Sequence, residues 1–242
     1  MRQQWADYRV FWREFRRSFT STGAVLPSGP ALSAALARFV IDDQDGVAGR
    51  RILEVGPGTG AVTTHILRAM RPGDSLDLVE RNAEFVARLR TRLAEDESWR
   101  QRADRVVLHA ASVEDLPTDR RYDLIVSGLP LNNFSVALVE QILDKLLQLL
   151  APQGTLSFFE YIGVRYAKAA LSRQAERERL RAIGRVLREF LQGREIRRDR
   201  VLANLPPAWV HHVKQCPSSV VRSPLQPANN GPRTTDHGPI TP

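Results

Sequence analysis

Short apolar runs alternate with amphipathic segments through the middle of the chain. Five runs have the length and composition typical of buried strands, and they cover residues 51–55, 76–80, 106–108, 122–127 and 154–161. Between them, apolar residues recur with the period of a helix at 61–70, 83–93 and 139–150. Strands that alternate with helices predict an α/β fold, in which a mostly parallel sheet is covered by helices on both faces.

Further elements are predicted on either side of this region. A break rich in glycine and proline at 23–30 is followed by a short helix predicted at 32–41. A long helix is predicted at 166–191. Segments 195–203 and 208–213, joined across a Leu-Pro-Pro turn, are expected to close the sheet as an antiparallel hairpin.

Residues 1–22 are expected to hold an amphipathic helix, predicted over 2–19. Its aromatic side chains recur at steps of three and four residues and so share one face: Trp5, Tyr8, Trp12, Phe15 and Phe19. Arginines lie on the flanks of that face: Arg9, Arg13, Arg16 and Arg17. Two interpretations stay open. The aromatic face docks on the domain, or the helix lies at a membrane interface with its arginines near lipid phosphates.

Length and composition limit the domain organisation. A chain of 242 residues suffices for one α/β domain with short additions, which we place at 23–216. Residues 217–242 contain six prolines and almost no apolar pattern, which predicts a disordered tail. The single cysteine, Cys216, excludes an intramolecular disulfide, and no metal site is predicted, since His211 and His212 lack a second ligand pair. Without an apolar span or signal segment, we expect a cytoplasmic protein.

The net charge of +8 is concentrated outside the predicted sheet region. Residues 51–160 carry 13 basic and 16 acidic groups, whereas residues 164–200 carry 12 basic and 5 acidic groups. Within the long helix, four arginines at four-residue steps share one face: Arg173, Arg177, Arg181 and Arg185. This stripe is either a solvated face with local acidic partners or a second contact with an anionic membrane surface.

A glycine-rich turn follows the first strand. Residues 54–60 read Glu-Val-Gly-Pro-Gly-Thr-Gly, and such glycines let the backbone approach a ligand closely. Glu80 ends the second strand, where a carboxylate can accept hydrogen bonds from both ribose hydroxyls of a nucleoside. Both features are expected at the carboxyl edge of the sheet, which predicts a nucleoside cofactor. The spacing from Gly56 to Ala61 also fits a dinucleotide fingerprint, so NAD is an alternative.

Three features favour S-adenosylmethionine over NAD. Glu54 with Gly56, Gly58 and Gly60 resembles motif I of the class I methyltransferases. Residues 111–117, Ala-Ser-Val-Glu-Asp-Leu-Pro, are similar to the adenine-binding loop of that family. Residues 127–130, Ser-Gly-Leu-Pro, follow the fourth strand where amino-methyltransferases carry their acceptor motif. The resemblance implies that the cofactor is bound by Glu54, Gly56, Gly58, Gly60, Glu80, Ser112, Val113 and Ser127.

A narrower resemblance rests on three segments. Residues 127–134, Ser-Gly-Leu-Pro-Leu-Asn-Asn-Phe, are similar to a signature of the bacterial soluble phospholipid N-methyltransferases. Residues 23–32 and the Asn-Leu-Pro-Pro-Ala segment at 204–208 resemble two further motifs of that family. Asn132 stands where the family has Leu, Gly29 stands where it has Ser, and the arginine-striped helix is an additional departure.

This resemblance implies a fold, a reaction and a location. The fold is the Rossmann-like class I methyltransferase fold, with a seven-stranded sheet and a closing antiparallel hairpin. The reaction is the stepwise methylation of phosphatidylethanolamine toward phosphatidylcholine at the inner face of the membrane. The expected partners are a phospholipid substrate and an anionic membrane surface, contacted through residues 1–19 and the helix at 166–191.

The acceptor amine sets the catalytic requirement. A primary ammonium has no lone pair and must lose a proton before it attacks a methyl group. Glu160 and Tyr161, at the end of the fifth strand, are the candidates that would assist this loss. The backbone carbonyls around Leu129 and Pro130 are expected to orient the amine, so that most of the rate comes from positioning.

Two other functions are weighed against this one. The basic flanks would also suit an RNA adenine N6-dimethyltransferase. That class uses Asn-Leu-Pro followed by Tyr or Phe, whereas Gly128 and Leu131 occupy the Asn and aromatic positions here, which argues against a nucleic acid substrate. A non-catalytic cofactor-binding protein that docks on membranes or RNA is the second alternative, and the intact pair of Glu54 and Glu80 argues against it.

Overall fold

The computed structural model describes residues 28–42, 49–162 and 174–215. The predictions for residues 1–22, for the tail at 217–242 and for the first part of the long helix lie outside these residues. The assignment of residues 23–216 to one domain therefore stays a prediction.

Seven strands of the described residues form one sheet in the order β3-β2-β1-β4-β5-β7-β6. The strands are β1 (Arg51–Val55), β2 (Ser75–Val79), β3 (Val106–His109), β4 (Tyr122–Ser127), β5 (Leu150–Tyr161), β6 (Glu195–Val201) and β7 (Ala208–Lys214). The first five strands pair in parallel, and β7 is antiparallel to both of its neighbours. The predicted Rossmann-like sheet with a closing hairpin is confirmed.

The fifth strand is longer than predicted because it contains an irregularity. Tyr122 pairs with Leu150, but Leu124 pairs with Thr155, so β5 carries extra residues at this point. Gly154 lies inside the irregularity, where a Cβ atom would come within 2.9 Å of the Asp123 and Tyr122 carbonyl oxygens. Gly154, predicted to begin the strand, therefore lies within β5 at the point where this strand departs from regular pairing with β4.

Helices cover both faces of the sheet. They are α1 (Pro30–Leu36), α2 (Arg38–Asp42), α3 (Ala61–Ala69), α4 (Ala83–Glu95), α5 (Glu97–Arg100), α6 (Val136–Leu149) and α7 (Gln174–Leu191). The prediction of one helix at 32–41 is wrong, because the segment forms two helices that are separated at Ala37. The Ala37 amide donates a hydrogen bond to the Ser33 carbonyl and so caps the first helix. The described part of the long predicted helix is α7.

The core consists of two apolar layers, one on each face of the sheet. One layer contains side chains of α6 and α7, including Leu143 and Leu187, packed on β4 and β5. The other contains side chains of α1, α3 and α5, including Leu32, Ile66 and Trp99. Because helices cover both faces of the sheet, polar groups that bind a ligand are expected at its edges. The carboxyl ends of the parallel strands lie together at one of these edges.

Candidate active site

The glycine turn after β1 takes a backbone shape that other residues rarely adopt. Gly56, Gly58 and Gly60 have φ angles of +70°, +56° and +82°. A Cβ atom on Gly56 would lie 2.7 Å from a methyl carbon of Leu129, and one on Gly60 would lie 2.4 Å from the Trp99 ring. A Cβ atom on Gly58 would have no atom within 4 Å, so this amide borders open space. Packing therefore requires glycine at positions 56 and 60, whereas Gly58 faces open space.

Glu80 ties the glycine turn to the end of β2. Its side-chain oxygens accept hydrogen bonds from the amides of Gly58, at 3.1 Å, and Asn82, at 2.8 Å. Burial raises the pKa of Glu80, while these backbone donors oppose the rise. Each carboxylate oxygen has a second lone pair, so the group can still accept hydrogen bonds from a ligand.

Glu54 lies inside the domain beneath the same turn. Its side chain is almost fully buried, and burial, reinforced by the nearby charge of Glu80, raises its pKa to about 8; the neighbouring Thr63 groups oppose only part of that rise. Within the described residues, its Oε2 atom has no hydrogen-bond partner. A buried carboxyl oxygen without a partner fits a cationic ligand group, which would restore its negative charge.

The loop after β3 begins beside Glu80, whose amide bonds to the His109 carbonyl oxygen at 3.0 Å. The Ser112 hydroxyl donates to Glu114 at 2.7 Å, and the Val113 side chain is buried in the core. The Ser112 proton is therefore used within the loop, which leaves its oxygen as an acceptor for a ligand.

The turn after β4 packs directly on the glycine turn. The Gly128 amide donates to the Val55 carbonyl at 2.8 Å, and a Cβ atom on Gly128 would lie 2.7 Å from the Gly56 oxygen. Ser127 is buried, and its hydroxyl accepts the Leu129 amide at 3.4 Å. Each turn therefore needs a glycine to fit the other, which brings the predicted cofactor and acceptor segments into contact.

Of the two acceptor residues predicted in this turn, one is already engaged. The Pro130 carbonyl accepts the Asn133 amide at 3.0 Å and so closes a short 3₁₀ turn. The Leu129 side chain lies over Gly56 and packs against the core.

Glu160 and Tyr161 end β5 and, as consecutive strand residues, face opposite sides of the sheet. Tyr161 packs edge-on against Phe159, with ring centroids 5.0 Å apart, and burial raises its pKa. Glu160 lies opposite Trp209 on β7, in the row that continues to Arg200 on β6. The two candidate side chains therefore have different neighbours, the Phe159 ring for Tyr161 and the Trp209 position of β7 for Glu160.

Sequence reasoning missed Arg179, which holds the acceptor loop from outside. Its guanidinium donates to the backbone carbonyls of Asn132, at 3.1 Å, and Phe134, and it is oriented by Glu176. Arg179 lies two positions from the arginine stripe and beside the buried Leu180, so it belongs to the inward border of α7. Its offset from the stripe was the signal available in the sequence.

The two histidines of β7, His211 and His212, form hydrogen bonds with neighbouring strands of the sheet. His211 bonds to Glu195 and stacks on Phe158, whereas His212 bonds to Ser157 and Asp199 on the other face. Burial lowers the pKa of His212 to about 4, so it is neutral at physiological pH. Among the described residues, no helix has the length and hydropathy needed to cross a bilayer.

The family described as "Methyltransferase domain" matches residues 52–154, from the first strand into the fifth. This segment contains the glycine turn, Glu80 and the turn after β4. The protein is an S-adenosylmethionine-dependent methyltransferase.

Similar proteins come from several methyltransferase groups. An ornithine lipid N-methyltransferase from Singulisphaera acidiphila is 29% identical over 152 residues, which are 62% of this chain and 75% of that protein. The solved glycopeptide N-methyltransferase MtfA, complexed with sinefungin, has a TM-score of 0.56 at 19% identity, covering 81% of this chain and 90% of that one.

Two further solved structures have the same fold. The O-methyltransferase TomG from Streptomyces achromogenes, in complex with SAM, has a TM-score of 0.55 at 18% identity, covering 82% of this chain and 86% of that one. TrmN from Thermus thermophilus has a TM-score of 0.53 at 18% identity, and the match spans 77% of this chain but 48% of TrmN.

The cofactor of this methyltransferase is S-adenosylmethionine, which removes NAD as an alternative. The site fits that molecule in two respects. The open space beside Gly58 lies next to Glu80, which can receive a ribose, and the unpartnered oxygen of Glu54 can receive the ammonium of the methionine group.

Proposed function

We propose that this methyltransferase transfers methyl groups to the amine of a membrane lipid, with phosphatidylethanolamine as the substrate. The observation that carries the proposal is the similarity to the ornithine lipid N-methyltransferase of Singulisphaera acidiphila. The Ser-Gly-Leu-Pro turn adds support, because it resembles the phospholipid N-methyltransferase signature and packs on the glycine turn.

Bound S-adenosylmethionine supplies an electrophilic methyl group on a sulfonium. On the protein side, Glu80 would accept hydrogen bonds from the ribose hydroxyls, and the Glu54 carboxylate would pair with the methionine ammonium. The amides of the glycine turn, the Ser112 and Val113 loop and Ser127 complete the cofactor site. These groups would hold the cofactor in place without taking part in bond breaking.

The acceptor side must convert an ammonium into an amine. Glu160 accepts this proton at a carboxylate oxygen. Phe158 pairs with Ser127, the last residue of β4, and Glu160 lies two positions further along β5, so it is at the carboxyl edge of the sheet. Tyr161 acts as a neutral hydrogen-bonding group, because burial raises its pKa and keeps the phenol protonated. The carbonyls at Leu129 and Pro130 orient the nitrogen, and Arg179 keeps their loop in place.

The reaction takes place at the inner face of the membrane, with the enzyme bound peripherally. Residues 1–19 and the arginine stripe of α7 are the proposed contacts with anionic lipid. Arg181 and Arg185 are exposed on α7, and we find no ion pair for either of them within the described residues. Such cations are attracted to an anionic leaflet by about 1 kcal/mol each.

A labelled-methyl assay tests this function. Full-length protein is incubated with labelled S-adenosylmethionine and with separate vesicles of phosphatidylethanolamine or ornithine lipid, structured RNA, or small amines. We expect label in phosphatidylethanolamine, and we expect Glu160→Gln to lower the rate while leaving cofactor affinity unchanged. Label in RNA or small amines alone would overturn the lipid assignment, and label in ornithine lipid alone would change the substrate.

A further inference from the structure

The turn of the β6–β7 hairpin lies at the same edge of the sheet as the active site. Ala208, the first residue of β7, pairs with Tyr161, the last residue of β5, and also with Val201, the last residue of β6. The connecting residues 202–207 therefore project from the carboxyl edge, where the turns after β1 and β4 also lie.

Two leucines of this turn are held in solvent. Leu202 is 58% exposed and Leu205 is 73% exposed. Between them, Asn204 is buried and anchors the turn, because its side chain accepts the Gly29 amide at 2.9 Å and donates to the Pro206 carbonyl at 2.7 Å. Because Asn204 fixes the turn, the two leucine side chains stay exposed to water, which is unfavourable for apolar surface.

Cationic and aromatic side chains stand directly behind the leucines. The guanidinium carbons of Arg198 and Arg200 lie 5.0 Å and 5.7 Å from the Trp209 ring centre. Both arginines are exposed, and neither has an ion pair within the described part of the chain. The order from the tip inward is therefore aliphatic, then cationic with an indole, which is the order that a membrane interface favours.

We infer that the β6–β7 hairpin inserts Leu202 and Leu205 into the acyl region of an anionic bilayer. Arg198 and Arg200 then lie near the lipid phosphates, and Trp209 lies at the headgroup level. The inference rests on the proposed lipid substrate and adds a docking element that is separate from residues 1–19 and from α7. Insertion brings the carboxyl edge of the sheet down to the depth at which a lipid amine is found.

Vesicle sedimentation with the full chain tests the insertion. Vesicles contain phosphatidylcholine with or without about a third of phosphatidylglycerol, as in an anionic leaflet. We expect Leu202→Ser/Leu205→Ser to lower partitioning onto the anionic vesicles about tenfold, and Arg198→Gln/Arg200→Gln to remove most of the preference for them. Ile196→Ser is the matched control, because Ile196 is 48% exposed on the same strand but lies at the opposite end of the hairpin.

A depth measurement protects the test against indirect effects. Leu205→Cys in a Cys216→Ser background carries one environment-sensitive dye, and lipids brominated on their acyl chains should quench it. Ile196→Cys, labelled in the same way, should not be quenched. Unchanged partitioning of the double-leucine variant, or equal quenching at both positions, would overturn the insertion; so would tight capture of RNA that depends on the two leucines.

The experiment also separates this inference from the proposed function. Partitioning and quenching involve no methyl transfer, so hairpin-dependent binding without labelled lipid would overturn only the function. Methylation of lipid amines in detergent micelles, together with vesicle binding that is independent of the hairpin, would overturn only the insertion.

Discussion

The two halves of the sheet present different kinds of residues to their ligands. In the cofactor half, β1, β2 and β4 present glycines and two buried carboxyl groups, and the ligand space is shaped by backbone. In the half that we propose binds the acceptor, called the acceptor half below, β5, β7 and β6 present Glu160, Trp209 and a row of exposed arginines. One half is built to enclose a small molecule, whereas the other is open and amphipathic.

This difference explains why the cofactor half is readily recognised from its sequence. A backbone that must approach a nucleoside tolerates few residue types, so its sequence is narrowly restricted. An open surface can be built from many combinations of cationic and apolar side chains. The cofactor half therefore indicates the reaction, and the acceptor half carries the information about the substrate.

The largest expected effect contrasts two glycines of one turn. Gly58→Ala should reduce S-adenosylmethionine affinity more than 100-fold, on the order of 3 kcal/mol, because its Cβ enters the open ligand space. Its effect on the melting temperature should be modest, since only the φ strain of about 1–2 kcal/mol is added. Calorimetry measures the affinity, and thermal unfolding measures the stability.

Gly60→Ala is the matched variant and should behave differently. Its Cβ would lie 2.4 Å from Trp99, so overpacking is added to the φ strain and the fold itself loses about 3 kcal/mol. Equal melting temperatures for the two variants would show that the two positions are not distinguished by packing.

Glu80→Ala should weaken cofactor binding by about 1.5–3 kcal/mol, the range for hydrogen bonds to a charged group. The variant also removes the acceptor of the Gly58 amide, so the turn loses its tie to β2. Isothermal calorimetry gives the affinity. Glu95→Ala, an exposed carboxylate at the end of α4, serves as the control and should bind normally.

Arg179→Ala should affect the acceptor half alone. We expect kcat to fall about tenfold because two loop carbonyls lose a charged donor, while cofactor affinity stays within twofold. Arg188→Ala, an exposed residue of the same helix outside the arginine stripe, is the control. A parallel loss of cofactor affinity in Arg179→Ala would mean that the two halves are not independent.

The smallest predicted effect concerns pH. The pKa of Glu54 is about 8 without ligand, so binding of a cationic ammonium must release a proton from it at neutral pH. Affinity should therefore improve about fivefold between pH 7 and pH 8, and Glu54→Gln should remove this slope. Titrations in buffers of different ionisation enthalpy would count the released proton, and a count of zero contradicts the pairing.

The same group gives a signed prediction for stability. A carboxyl whose pKa is higher in the folded state binds more protons there than in the unfolded chain. Without ligand, stability should therefore fall as pH rises from about 4.5 to about 8, by at most about 1.4 kcal/mol per pH unit. Thermal unfolding of Glu54→Gln should show a flatter dependence.

Much of the cofactor half could be predicted because its information is local. Glu54 and the three glycines fall within seven consecutive residues, and β1 and β4 have their predicted limits. Arg179 could not be placed, because its partners Asn132 and Phe134 lie 47 and 45 positions earlier in the chain. Periodicity shows which face of a helix is apolar, but it does not show which loop meets the border of that face.

Gly29 illustrates the same limit from the other side. It is a departure from the resembled family, and no local pattern explains it. In the fold, a Cβ atom at this position would lie 2.9 Å from the Asn204 side-chain oxygen. A side chain at this position would therefore meet a segment that is distant in the sequence.

That contact also has a consequence for how the enzyme would stay on a surface. The hydrogen bond from Gly29 to Asn204 joins residues 175 positions apart, and it holds Gly29 at the turn of the β6–β7 hairpin. Lipid contacts made by residues 2–19 and by the hairpin would then be tethered, so that the second forms at a high effective concentration once the first is made. Avidity, rather than the strength of either contact, would set the residence time on the bilayer.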